Sequence, residues 1–396
     1  MGDSDPVVIV GMARTALGGF QGDLAPLTAP ALGAAAIGAA LARSGLATEA
    51  VDEVLMGCVL PAGQGQAPAR QAALAAGLPV GAGCTTLNKM CGSGMKTVML
   101  AHDLIRVGSA ARVVAGGFES MSNAPYLLDK ARGGLRMGHG RVLDHMFLDG
   151  LEDAYEPGRL MGTYAEDCAA AEGIGRDAQD DWAVTSLTRA QAAIACGAFA
   201  AEIAPVTVKA GKSERVVATD EQPGKANLDK IRALRPAFRE GGTVTAANAS
   251  SISDGAAALV LMRRSAAEKQ GLAPLAVIHG HATHADRPAL FPLAPIGAVR
   301  TLLDRVGWRA GAVDLFEINE AFAVVTLAAI RALGLAPDTV NVHGGACALG
   351  HPLGASGARI IVTLLAALQR HGLKRGVAAL CIGGGEATAL AVELVA

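Results

Sequence analysis

The sequence predicts an α/β protein in which two similar βαβ halves flank an inserted, more polar segment. Three observations predict it. β-type runs such as "VVIVG", "DEVLMGCVL" and "ARVVAGG" alternate with Ala-rich helical stretches that end at Gly45, Gly77 and Gly108, the pattern of parallel strands joined by crossover helices. The stretches 93–120 and 356–387 share one order: Ser-Gly, an amphipathic helix, a glycine, basic residues, a β-run, and a Gly-rich turn closing on Glu119 or Glu386. Such repetition points to duplicated halves. Between them, residues 121 to about 249 are polar and irregular, hold all three tyrosines, and contain one long helical run, "DAQDDWAVTSLTRAQAAIACG". The chain therefore divides into a first half, 1–121 plus 250–271, an inserted domain, 122–249, and a second half, 272–396.

A chain of 396 residues exceeds one ordinary domain and can bury a large core. With 51% apolar and 18% charged residues and 50 glycines, it suits an enzyme with many tight turns better than a charged binding module. A net charge of -2 and no basic run argue against nucleic acid as a partner. Mean hydropathy is positive, yet the longest uncharged apolar-leaning stretch, "APALGAAAIGAALA", has 14 residues and is too short to span a bilayer. The start, "MGDSDPVVIVG", lacks the basic and long apolar regions of a secretory signal, and Pro6 spoils a myristoylation match. Seven cysteines, an odd number without CxxC, point to reduced thiols and a cytoplasmic location.

Four segments carry candidate chemistry. In "NKMCGSGMKT", the glycines at 92 and 94 permit a sharp strand-to-helix turn that would place Cys91 at a helix N-terminus, where partial positive charge favours a thiolate. Taken alone, the segment reads rather as a buried core cysteine, the commonest fate of that residue. In "HGGACALGHPLGASG" (343–357), His351 sits in a stiff Gly/Pro turn suited to a base, or to a surface loop histidine. In "CIGGGEA" (381–387), Cys381 leaves a β-run into three glycines, whose backbone N–H groups suit an oxyanion site. In "EINEAFA" (317–323), Asn319 and Glu320 interrupt an apolar run, a costly placement unless they face a cavity or are hydrogen-bonded. His279 and His281 alternate along a β-run in "HGHATH" with no cysteine or carboxylate at ligand spacing, so no metal is expected. No GxGxxG follows the first strand, which disfavours a nicotinamide fold.

Together with "LPAGQGQAPARQAALAAG", "GGFESMSNAPY" and "RPAFREGGTVTAANASSISDGAAA", these segments stand in the order of the thiolase family, which the chain closely resembles over its whole length, most of all the members that form acetoacetyl-CoA. The resemblance implies a thiolase fold: two five-stranded βαβ halves in a layered αβαβα core with an inserted loop domain. It implies reversible Claisen condensation of two acetyl-CoA to acetoacetyl-CoA and CoA through an acyl-cysteine, with a degradative 3-ketoacyl-CoA thiolase of broader chain length as the alternative. By the same match, Cys91 is the acylated nucleophile, His351 its base and Cys381 the acid/base for the α-proton. His351 and a water fixed by Asn319 would hold the enolate oxygen, and the N–H groups of Cys91 and Gly383 the tetrahedral adduct.

Coenzyme A and acetyl-CoA enter this scheme as substrates, with no tightly bound cofactor. Their implied contacts are Leu151, Met161, Phe238, Ala246, Ser250, Ala321 and Phe322, with Met161 narrowing the acyl pocket. The chain departs from many family members at Leu160, where they carry a histidine, and in "EQPGKANLDKIRALRP", which has no arginine near Gly224. Lys225 or Lys230 is expected to meet the nucleotide phosphate instead, as a point charge without bidentate geometry. The resemblance also implies a homotetramer built as a dimer of dimers, with "LLDKARGGLRMGHGR" near the contact, and no membrane partner. A ketoacyl synthase would lack the second thiol of "CIGGGEA", a non-catalytic carrier would lose Cys91 or His351, and a cysteine hydrolase would leave Cys381 idle.

Overall fold

In the computed structural model, which describes residues 5–210 and 213–395, the β-runs of the first half form β1 (Val7–Thr15), β2 (Glu53–Gly57), β3 (Gly83–Leu87), β4 (Arg112–Ser120) and β5 (Ser253–Arg263). Those of the second half form β6 (Ala276–Ala285), β7 (Leu315–Ile318), β8 (Arg375–Ile382) and β9 (Glu386–Leu394). Across the sheet the strands lie in the order β3-β2-β4-β5-β1-β6-β9-β8-β7. β2 runs parallel to β3 and β4, as β7 does to β8, and the remaining neighbours are antiparallel. The halves meet edge to edge where Val8 pairs with Val277 and Ile9 with Ala276. Each half thus repeats one topology, as the internal repeat predicts.

The repeat is incomplete at one strand. Opposite the position of β3, the second half has a single parallel bridge between Phe316 and Val340 rather than a fifth strand. A 3-10 turn at Pro337–Thr339 ends just before Val340, and Asn341 adopts a left-handed φ of 49° just after it. The chain is extended for too short a stretch to build a ladder.

The helices α1 (Ala29–Ser44), α2 (Pro68–Ala75) and α3 (Ser93–Val107) belong to the first half, α4 (Met161–Ala171) and α5 (Arg176–Ala195) to the inserted segment, and α6 (Ala294–Val306), α7 (Ala323–Leu333), α8 (Ala346–Leu349) and α9 (Leu353–His371) to the second half. Local signals set their ends. Thr28 Oγ1 accepts from Ala31 N–H at the start of α1, and Gly45 (φ 71°) and Gly108 (φ 79°) close α1 and α3 in the left-handed conformation that favours glycine.

Three apolar layers hold these elements together. Side chains of α1 and α2 pack on Val8, Val114 and Val260. In the middle, Met95, Val98 and Ile105 of α3 and Ile360, Ile361 and Leu364 of α9 fill the space between Val113, Leu259 and Leu261 on one side and Leu380, Leu390 and Val392 on the other. On the far face, Val299 and Leu302 of α6 and Ala329 of α7 cover Phe316, Val377 and Ala389. The result is the layered αβαβα fold. Because helices cover both faces, all nine residues of β1 are buried, and from Val7 to Ala13 the strand reads as an apolar run rather than an alternating one. Buried Arg14 ties the inserted segment to β1, donating from Nη1 to Asp220 (2.7 Å) and from Nε to Glu202 (2.9 Å).

Helices α3 and α9 touch backbone to backbone at their N-terminal turns. A Cβ on Gly94 would lie 2.8 Å from both Ala358 N and Gly354 O, and one on Gly357 would lie 2.3 Å from Met95 N. Neither neighbour is a side chain that can swing away, so the close crossing requires glycine. Gly357→Ala is expected to lower stability by at least about 1–3 kcal/mol, the usual range for overpacking. Chemical denaturation would measure it, and a wild-type midpoint would show that the helices can separate without penalty.

Candidate active site

Cys91 lies between β3 and α3, and the turn that presents it is made differently from the expectation. The left-handed residue is Met90 (φ 47°), not a glycine. Left-handed backbone at a residue with a Cβ costs about 1–2 kcal/mol, and polar contacts hold it: Met90 N–H donates to Asn88 Oδ1 (2.9 Å), Ser93 Oγ donates to Met90 O (2.6 Å), and Lys89 N–H donates to Ser93 Oγ (2.8 Å). Gly92 has an ordinary φ of -81°. Its missing side chain matters for space, since a Cβ there would lie 2.3 Å from Ile382 Cδ1. The glycine lets the turn after β8 approach Cys91.

His351 follows α8 in the glycine-rich turn, its own N–H donating to Ser251 O (3.1 Å) and Ser253 Oγ (3.2 Å). Nδ1 lies 2.5 Å from Ser356 Oγ, and that hydroxyl lies 2.9 Å from Pro352 O. A carbonyl only accepts, so we assign the hydroxyl proton to Pro352; Ser356 then accepts from Nδ1–H, and Nε2 carries the lone pair. Nε2 is buried without a hydrogen-bond partner among the described residues. Burial, with the Arg359 guanidinium adding to it, pushes the imidazole down to about 3. It is a neutral base at neutral pH.

The two thiols are protonated in the same surroundings. Burial pushes Cys91 up to about 11, although the N–H groups of Gly383 and of Cys91 itself favour its thiolate; the Glu119 carboxylate adds to the rise. This corrects the expectation of a thiolate favoured by a helix N-terminus: α3 starts two residues later, at Ser93, and desolvation outweighs the nearby donors. Cys381, at the end of β8, is 1% exposed. Burial and the proximity of Cys91 raise it well above the ordinary thiol range.

Cys91, His351, Cys381 and Gly383 wall one small cavity of about 60 Å³. Leu151, Met161, Ser250, Ala321 and Phe322 complete the wall, as do Phe291 and Leu353. A wider cleft of about 520 Å³ shares Gly150, Met161 and Gly383 with it and is bordered by Asn88, His145 and Tyr155. Asn319 is buried off the cavity wall; Arg359 Nη2 donates to its Oδ1 (3.5 Å), and its Nδ2 has no partner among the described residues.

Other expected contacts are not brought to these walls. Phe238 stands behind, edge-on to Phe322 at 6.0 Å and against Gly162, and Ala246 is exposed. Lys225 is committed one helical turn back to Glu221, whose carboxylate also accepts from the N–H groups of Gly19 and Asp23 (both 2.9 Å). Lys230 is exposed on the neighbouring 3-10 turn, and neither lysine lines the two cavities.

Two buried carboxylates were not read as part of the framework. Glu119 accepts from the N–H groups of Val59 (2.9 Å), Leu60 (3.1 Å) and Gly354 (2.8 Å), joining the end of β4 to the start of α9. Glu320 accepts from Trp182 Nε1 (2.9 Å), Ser186 Oγ (2.8 Å), Asn341 Nδ2 (2.8 Å) and Cys347 N–H (3.0 Å), joining the inserted α5 to the turn before His351. Its acid in an apolar run was the visible signal. Ser356 had none beyond its place five residues after His351.

Residues 7–265 match the family model for the thiolase N-terminal domain, and residues 272–394 that for the thiolase C-terminal domain. The chain is 52% identical over 392 residues to acetyl-CoA acetyltransferase 2 of Arabidopsis thaliana, covering 98% of this chain and 97% of that relative. It is 51% identical over 389 residues to acetyl-CoA acetyltransferase of Escherichia coli K12, covering 98% of each. The crystal structure of the Bacillus anthracis acetyl-CoA acetyltransferase superposes with a TM-score of 0.96 at 40% identity, covering 99% of both chains.

A thiol pushed up to about 11 is a small fraction thiolate at neutral pH, and only the thiolate reacts. The rate at which iodoacetamide modifies Cys91, followed by peptide mass mapping, is therefore expected to rise about tenfold per pH unit from pH 7 to 9. A rate already level across that range would mean a preformed thiolate.

Proposed function

The chain belongs to the thiolase family, and on that premise we propose that it is an acetyl-CoA C-acetyltransferase that joins two acetyl-CoA into acetoacetyl-CoA and CoA and cleaves them in reverse. The observation that carries the reading is one cavity walled by Cys91, His351, Cys381 and Gly383 together, with the unprotonated Nε2 of His351 buried beside it.

In the condensing direction, His351 Nε2 takes the Cys91 proton as Sγ attacks the thioester carbonyl. The tetrahedral oxyanion accepts from the N–H groups of Cys91 and Gly383, which already favour negative charge at this sulfur. On collapse, the departing CoA sulfur takes the Cys381 proton and leaves as free thiol. The resulting Cys381 thiolate removes an α-proton from the second acetyl-CoA. Its enolate oxygen is held by the His351 imidazolium and a water on Asn319 Nδ2. The enolate carbon attacks the acetyl carbonyl, Cys91 leaves, and His351 returns its proton. Each group ends as it began. Both thiols are costly to ionise in this buried site, so neither holds negative charge except while a substrate step requires it.

The similarity to proteins named acetyl-CoA acetyltransferase favours the two-carbon acyl group over the broader 3-ketoacyl range. In this reading coenzyme A lies along the inserted domain 122–249 with its thiol end at Leu151, Met161, Ser250, Ala321 and Phe322, Phe238 backs that wall, and no tightly bound cofactor is needed. A homotetramer is supported by the antiparallel pair Tyr126–Leu127 and Leu143–Asp144, which carries exposed Leu135, Met137 and Val142 between its strands. Cytoplasmic placement is supported by seven free cysteines. No helix among the described residues is long and apolar enough to cross a membrane.

The division of labour predicts distinct variants. Cys381→Ala should take radiolabel from acetyl-CoA onto Cys91 and hold it, because CoA is a good leaving group even without a positioned acid, while acetoacetyl-CoA synthesis falls at least about 100-fold. Cys91→Ala should take up no label. A Cys381→Ala enzyme that condenses at near-normal rate, or a folded one that is never acetylated, would overturn the assignment.

A further inference from the structure

We propose that His102, Asp103 and His281 form a site for one divalent first-row transition metal, such as Zn2+, that clamps α3 of the first half to β6 of the second. In the sequence, His281 had no ligand partner at metal spacing. The fold supplies Asp103, 178 residues away in the sequence, and its neighbour His102. Asp103 Oδ1 lies 3.1 Å from His102 Nδ1 and 2.9 Å from His281 Nε2, and a ligand atom from each of the three residues lies within 4.8 Å of the others. Metal–ligand bonds near 2.0 Å place adjacent tetrahedral donors roughly 3.3 Å apart. Both separations to Asp103 Oδ1 are close to that figure.

Chemistry and access agree with the geometry. Each imidazole now directs an N–H at Asp103, and a shift to the other tautomer frees both lone pairs for the metal with no net loss of protons. The His102 side chain is 7% exposed, that of His281 15% and that of Asp103 51%, so the site is walled by protein on the imidazole side and open to solvent at the carboxylate. Lys96, Arg106 and Arg305 also face the histidines. Their positive charge opposes any cation, so a metal is held here only through the imidazole nitrogens, which suit transition metals and not hard cations such as Mg2+ or Ca2+. His102 lies nine residues, roughly 14 Å at 1.5 Å per residue, along α3 from its start at Ser93, and the site takes no part in the acyl-transfer steps.

The test is titration of the full-length protein with Co2+, followed by displacement with Zn2+. One Co2+ per chain is expected, with a ligand-field spectrum free of thiolate charge transfer, and Zn2+ should raise the thermal midpoint. Asp103→Asn and His281→Gln should each weaken binding by at least about tenfold and abolish the thermal shift, while leaving the thiolysis rate as in the wild type. No binding, wild-type affinity in either variant, or a thiolate band placing the metal on cysteine would each overturn the proposal.

Discussion

Helices α3 and α9 meet at their N-terminal turns with no side chain between them, because Gly94 and Gly357 put backbone against backbone in the most buried layer of the fold. Everything catalytic hangs on this crossing. Cys91 lies just before one helix and His351 just before the other, in equivalent places of the two halves. The duplicated fold thus delivers two different residues to one point. The same closeness recurs where Gly92 admits Ile382 and where a Cβ on Gly117 would lie 1.9 Å from Gly354 O, so the turn after β8 and the end of β4 are drawn in as well. Glu119 and Glu320 then fix the converging turns through their backbone N–H groups. A buried carboxylate is stable in such a place only because its oxygens are so fully hydrogen-bonded.

Burial at the crossing also sets the chemistry. In a water-filled site a cysteine and histidine in contact can rest as a thiolate and an imidazolium. Here desolvation drives the imidazole down to about 3 and the Cys91 thiol up to about 11, and the pair rests uncharged. In the proposed reaction charge develops only as the acyl group arrives, beside the N–H groups of Cys91 and Gly383, which already favour negative charge at the Cys91 sulfur. Donors oriented before the reaction need no reorganisation during it, which is the source of their catalytic value. Ser356 contributes by fixing which nitrogen of His351 carries the proton.

Much of this was legible in the sequence where it depended on local pattern. The repeat of Ser-Gly, helix and β-run disclosed the duplicated halves, and the four glycine-rich or polar interruptions held Cys91, Asn319, His351 and Cys381. What depended on three-dimensional neighbours was not legible. The role of Gly92 was misread as backbone freedom because the atom it makes room for, Ile382 Cδ1, is some 290 residues away in sequence. The thiolate expectation weighed a helix terminus without the burial that overrides it. Lys225 looked free because its partner Glu221 was not recognised as one turn back on a short helix, and the absent fifth strand follows from a turn and a left-handed asparagine around Val340.

The central claim is that the crossing of the two helices holds His351 as a neutral base with its lone pair on Nε2. Nitrogen-15 NMR of imidazole-labelled protein, with His351 assigned by comparison with a His351→Gln variant, tests it directly. The account predicts one protonated nitrogen, Nδ1, and an unprotonated Nε2, unchanged from pH 8 down to pH 5, as expected for a group pushed down to about 3. An imidazolium carrying both protons at neutral pH, or a proton on Nε2 in place of Nδ1, would contradict it.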